Sequence, residues 1–181
     1  MNPRLRSVFI VTGGLFFGLI LGGFLLFFSL HREPGSKRPL PPTTGEAMVD
    51  FSLTALDRKT VRLSELKGKP VVLNFWATWC PPCREEMPLL EKYSRELRDQ
   101  ITVVGVNYGE DAVTVQNFVA ENKITFPIWL DPKGEVSDLY YIDSYPSTFF
   151  IDSQGILRAR HIGQLDEDLL KKYLAILKVG P

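Results

Sequence analysis

FWATWCPPCREEMP, residues 75–88, holds the only two cysteines of a 181-residue chain, with two prolines between them. Just before it, VVLNFW (71–76) is a nearly unbroken apolar run bounded by Gly68-Lys69-Pro70, the pattern of a central strand buried on both faces. Just after it, PCREEMPLLEKYSRELRD (82–99) keeps helical spacing through Met87, Leu90, Tyr93 and Leu97 while Pro88 interrupts, which predicts a helix kinked at that proline. Cys80 therefore precedes a helix and Cys83 lies inside its first turn.

Upstream, FSLTAL (51–56) and TVRL (60–63) read as short strands around the turn Asp57-Arg58-Lys59, followed by SELKGKP (64–70). Downstream, ITVVGVN (101–107) reads as a second buried strand, DAVTVQNFVAENK (111–123) as an amphipathic helix opened by Asp111, and FPIWLD (126–131) as a third core strand. STFFID (147–152), the turn Ser153-Gln154-Gly155 and ILRARHIG (156–163) predict a hairpin, and the acid-rich start of LDEDLLKKYLAIL (165–177) a terminal helix. Strands alternating with helices imply parallel pairing through right-handed crossovers, so the expected fold is α/β, a mixed central sheet flanked by helices, without internal repeats.

Three chemistries compete for the cysteine pair. A closed zinc site wants four ligands, and the chain adds only His31 and His161 to the two thiols. Copper held by Cys80, Cys83 and His161 requires His161 beside the motif, whereas alternation in RARHIG reads as an ordinary strand histidine. A structural disulfide closing so short a loop removes little entropy from the unfolded chain. A labile disulfide at a helix start fits best, because the first sulfur sits near unsatisfied N–H groups and the positive end of the helix dipole. Neither Pro81 nor Pro82 has an N–H to offer, which puts that work on the Cys83 and Arg84 amides, while Pro81 has the fixed φ suited to a first helical position. Trp76 reads as core and Trp79 as a shield and docking surface beside the sulfur.

The N-terminus points to a membrane. Val8–Leu30 runs 23 residues without a charge. As a helix it reaches about 34 Å, enough to span a bilayer, and it exceeds the core of a cleavable signal. The expected divisions are a cytoplasmic end (1–7), a transmembrane signal anchor (8–30), a Pro-rich tether (31–45) reaching up to roughly 45 Å, and a folded domain (46–181). Arg4 and Arg6 precede the span and Arg32, Lys37 and Arg38 follow it, so positive-inside counting alone does not orient it. Gly14, Gly18 and Gly22 share one helical face, which reads either as a dimer seam or as ordinary membrane-helix glycine. Residues 46–181 carry 16 basic and 20 acidic residues, a net −4, which leaves no basic stripe for nucleic acid.

FWATWCPPCREEMP, with FSLTALDRKTVRLSELKGKPVVLNFWATWC before it and VVGVNYGED, TFPIWLD and SYPSTFFID after it, closely resembles the thioredoxin-like proteins of the TlpA and ResA type. These are extracytoplasmic thiol-disulfide oxidoreductases tethered by an N-terminal helix, and the likeness covers nearly all of 46–181. It implies a thioredoxin-like fold with Cys80 as exposed nucleophile, Cys83 as buried resolving thiol and Pro146 as a cis-proline facing the disulfide. Tyr145 and Trp79 would join Pro146 in binding substrate. Asn74 stands six before the first cysteine, where thioredoxin carries a buried acid, and Glu110 occupies the place of a glutamate that fills that role in ResA-like members. Read from the sequence alone, Glu110 is a solvated loop acid or a helix-start charge next to Asp111, and it is the resemblance that reverses this reading.

The resemblance further implies a reductant on the outer face of the cell membrane that needs no metal or organic cofactor. Its clients would be proteins with paired cysteines, most specifically apocytochrome c before haem attachment, with electrons from a membrane donor of the CcdA type. General disulfide exchange on other exported proteins is the neighbouring reading. From other classes stand a thiol peroxidase, whose usual Thr-x-x-Cys context Thr78-Trp79-Cys80 does not match, and a copper-delivery module.

Overall fold

Val71–Trp76 forms β3, the strand on which the rest of the sheet is built, and all six of its residues are buried. Its side chains alternate between two cores: Val72 and Trp76 join one, Val71, Leu73 and Phe75 the other. The computed structural model describes residues 21–24, 26–27 and 40–180. The chain divides into two units, 1–38 and 39–181. In the first, residues 21–24 and 26–27 are helical; most of the expected span 8–30 and tether 31–45 lies outside the described residues. Among the described residues no helix is long and apolar enough to cross a membrane.

The second unit has a thioredoxin-like α/β fold. Beyond β3 its strands are β1 (Ser52–Ala55), β2 (Thr60–Arg62), β4 (Thr102–Tyr108), β5 (Ile128–Asp131), β6 (Ser147–Ile151) and β7 (Leu157–Ile162). They form one sheet in the order β2-β1-β5-β4-β3-β6-β7. β3, β4 and β5 pair in parallel, whereas β6, β7, β1 and β2 add antiparallel strands at the two sides, so the sheet is mixed. The parallel steps are made by α1 (Pro81–Glu96) and α2 (Ala112–Glu121). α1 continues through Pro88 to Glu96, and Asp111 caps α2 by accepting from the Val113 and Thr114 amides. α4 (Glu167–Ile176) closes the chain, capped by Asp166.

One element had no signal in the sequence. α3 (Glu135–Leu139) follows β5 in the stretch read only as the approach to SYPSTFFID. It is five residues long, too short to show a period, and is held by the buried carboxylate of Asp131, which accepts from the Val136 and Ser137 amides and the Ser137 hydroxyl.

Candidate active site

The junction of β3 and α1 sets the two cysteines. Cys80 is the N-cap of α1, its Sγ accepting from the Cys83 amide at 3.3 Å, and Pro81 and Pro82 fill the first helical positions. The Arg84 amide, expected to share this task, donates instead to the Cys80 carbonyl at 3.2 Å as an ordinary helical bond. Cys80 and Cys83 are joined in a disulfide. In this oxidised form Cys80 keeps only 3% of its surface and Cys83 none, whereas the expectation of an exposed first thiol concerns the reduced protein. The N-cap geometry turns the Cys80 sulfur back onto the helix start, and both residues join the core containing Trp76 and Met87.

The register Phe75↔Ser147 brings the start of β6, and Pro146 just before it, beside the end of β3 that leads into the cysteine loop. The Tyr145–Pro146 bond is cis, as the resemblance implied. Tyr145 meets Trp79 edge to face at 5.9 Å and stacks on Tyr108 at 5.0 Å. Trp76 is fully buried and Trp79 is 58% exposed, which separates the two tryptophans as their positions suggested. Burial pushes the Tyr145 hydroxyl up to about 12; Ser137 works against that rise and the charges of Tyr108, Asp131 and Asp138 add to it.

Glu110 lies against the same loop. Its carboxylate accepts from the Thr78 amide at 2.7 Å, the Thr78 hydroxyl, and the Asn107 side-chain amide at 2.7 Å. Glu110 thus ties the end of β4 to the residue two before Cys80.

A second carboxyl was missed. Glu86, three residues after Cys83 in α1, is 1% exposed. Its oxygens accept from the Asn74 side chain at 2.7 Å and from the Leu165 amide at 2.8 Å, and the same Asn74 amide donates to Thr148 at 2.9 Å. Burial pushes Glu86 up to about 7 against those two donors, which favour the charged form. Asn74, which cannot titrate, therefore serves a carboxyl that does. The sequence signals only half of this: an amide inside an otherwise apolar strand needs a polar partner, but nothing local says which residue supplies it.

His161 does not approach the cysteines. Its ring nitrogens meet the Tyr173 hydroxyl at 3.2 Å and the Gln164 carbonyl at 3.3 Å. Among the described residues no three His, Cys, Asp or Glu side chains gather as a metal site, so the copper triad of Cys80, Cys83 and His161 is not assembled.

A pair of sulfurs at a helix start, a titrating carboxyl one turn on and an aromatic docking surface can exchange disulfides. Comparison with known proteins points the same way. Residues 44–160 match the AhpC/TSA family. The chain is 39% identical over 142 residues to the thioredoxin-like protein YneN of Bacillus subtilis, covering 77% of this chain and 83% of that one. It is 32% identical over 176 residues to the thiol-disulfide oxidoreductase ResA of the same organism, covering 97% and 96%. The crystal structure of StoA from Bacillus subtilis superposes with a TM-score of 0.61 at 30% identity, covering 71% of this chain and 98% of that one.

Proposed function

The chain belongs to the AhpC/TSA family and is a thiol-disulfide oxidoreductase of the ResA type, and from that premise we propose that it reduces client disulfides outside the cytoplasm, chiefly the paired cysteines of apocytochrome c before haem is attached. The observation that carries the reading is the Cys80–Cys83 disulfide capping α1, with the titrating Glu86 one turn further on.

The reduced protein starts the cycle. The Cys80 thiolate attacks one client sulfur, the client S–S bond breaks, and its second sulfur leaves as a thiolate that takes up a proton. Cys83 then loses its proton and attacks Cys80 Sγ, which releases the client as a dithiol and leaves the Cys80–Cys83 disulfide. Two electrons pass from the protein to the client, and a membrane dithiol donor of the CcdA type restores them.

The buried Cys83 thiol needs a nearby proton acceptor, and of the two carboxyls Glu86 is set up to be it: buried, three residues away on the same helix, and poised near pH 7. Glu110 braces the Thr78-Trp79-Cys80 loop in the geometry of attack. An outer location is supported by the uncharged stretch 8–30 and the Pro-rich segment behind it, since an exported reductant needs electrons delivered through the membrane.

The test is a trap. Cys83→Ser should accumulate mixed disulfides in cells, and mass spectrometry of the trapped partners should find exported proteins with paired cysteines, apocytochrome c foremost. Cys80→Ser should trap none. Equal trapping by both variants would contradict this division of labour between the thiols, and partners confined to cytoplasmic proteins would sink the location.

A further inference from the structure

Three aromatic rings make a shelf beside the disulfide. Trp79, next to Cys80, is 58% exposed, a large share for an indole; Tyr145 meets it edge to face and in turn stacks on Tyr108. The shelf is held from behind. Tyr108 lies so close to Gly134 that a Cβ there would come 2.6 Å from its Cε2, and Gly134 has φ +73°, so glycine is required on both counts. Ser137, which acts on the Tyr145 hydroxyl, has its own hydroxyl donating to the buried Asp131 at 2.8 Å. Gly134 and Ser137 belong to the turn and short helix α3 that Asp131 organises, and the Gly134 amide itself donates to the Asp131 carbonyl at 3.1 Å. The rings are thus preorganised, which lowers the entropy cost of binding against them.

The surroundings are acidic. The segments 108–111 and 131–145 that carry the two tyrosines hold six carboxylates, Glu110, Asp111, Asp131, Glu135, Asp138 and Asp143, against Lys133 within them and Arg160, which donates to the Tyr141 carbonyl at 3.2 Å. Asp131 and Asp138 act directly on Tyr145. Arg84, the cation next after the cysteines, is laid over Phe118 at 6.0 Å and on a different element. Aromatic faces in a negative field attract a cation, by cation–π contact and by charge complementarity.

We propose that the shelf of Trp79, Tyr145 and Tyr108 receives an arginine or lysine side chain of the client close to the attacked cysteine, and so selects cationic segments among proteins with paired cysteines. This rests on the exchange activity proposed above and names the partner chemistry of the same site.

The test is single-turnover reduction by the reduced full-length protein in detergent. The substrates are synthetic peptides closing one Cys-x-x-Cys disulfide and differing only in the residue two before the first cysteine: Arg, Gln, Glu or Phe. The second-order rate constant should fall in the order Arg, Gln, Glu, with Arg ahead of Gln by about fivefold, the size of one exposed cation–π contact, and with the spread narrowing as salt is raised. Trp79→Leu and Tyr108→Val should each bring the Arg-to-Gln ratio towards one. The proposal is overturned if Arg and Gln peptides react alike, if the Phe peptide outpaces the Arg peptide, or if the Arg advantage survives in both variants. Hydroxyethyl disulfide separates the two levels: if the unaltered protein reduces it while all peptides react alike, only the shelf fails, whereas reduction of neither overturns the exchange activity as well.

Discussion

Glu86 shows how one buried carboxyl ties stability to the proposed chemistry. Its value rises from the usual 4.5 to about 7 because burial penalises the charge more than Asn74 and Leu165 stabilise it. A carboxyl raised on folding favours the native state fully below its unfolded value, and that favour is lost as pH climbs through the folded value. The oxidised protein should therefore lose roughly 2–3 kcal/mol of unfolding free energy between pH 5 and pH 8 from this residue. Glu86→Gln should flatten that slope. It should also be less stable at pH 5, because the glutamine amide cannot accept from both the Asn74 and Leu165 donors. Urea titrations at the two pH values check both points, and parallel slopes in the two proteins would show that the carboxyl does not titrate in this window. The kinetic counterpart is resolution of the mixed disulfide by Cys83, which should speed up as pH rises through about 7 in the unaltered protein and lose that inflection in Glu86→Gln. In Glu110→Gln the inflection should remain while the whole profile drops, since the Thr78 and Asn107 donors would lose an acceptor. If the inflection disappears there instead, Glu110 holds the proton.

At the scale of elements, the strands next to the site are packed without slack. A Cβ at Gly105 in β4 would lie 2.8 Å from Ile128 Cδ1 and 2.8 Å from Trp76 Nε1, and 3.3 Å from Phe126. Gly105→Ala should thus destabilise by about 1–3 kcal/mol through overpacking, read as a lower urea midpoint with an unchanged slope. An unchanged midpoint would mean that β5 yields to the methyl. The strands themselves were legible, because VVLNFW, ITVVGVN, FPIWLD and STFFID are apolar runs with clear turn residues between them, and Asp111 announces its helix by its capping chemistry. The cysteine loop was legible for the same reason: two thiols at a strand-helix junction leave few roles. Glu86 was not, since beside Glu85 it reads as one of two solvated helix acids. Only the tertiary placement of Asn74 and Leu165 makes it a buried one. The backing of Tyr108 by Gly134 escaped for a like reason: it depends on a contact between elements far apart in sequence, and no local pattern encodes it.

For the whole molecule the question is where the folded unit stands. The outer-face proposal makes residues 8–30 the single crossing and 31–45 a spacer of roughly 45 Å at full extension, so a domain on such a leash searches only a thin layer above the bilayer. Confinement to that layer raises its effective concentration towards a membrane electron donor, as any short tether does. It also keeps the donor's electrons from being carried away by diffusion. The arrangement has a direct consequence. In intact cells stripped of their wall, protease added from outside should remove residues 46–181, because on this proposal a Pro-rich spacer at the membrane surface would be open to cutting even if the folded unit resists it. The released fragment should still carry the Cys80–Cys83 pair and reduce hydroxyethyl disulfide once supplied with dithiothreitol. A cytoplasmic marker protein must survive the same treatment. If the chain stays whole until the cells are lysed and is then cut, residues 46–181 face the cytoplasm, and the proposed membrane delivery of electrons is wrong even where the exchange chemistry is right.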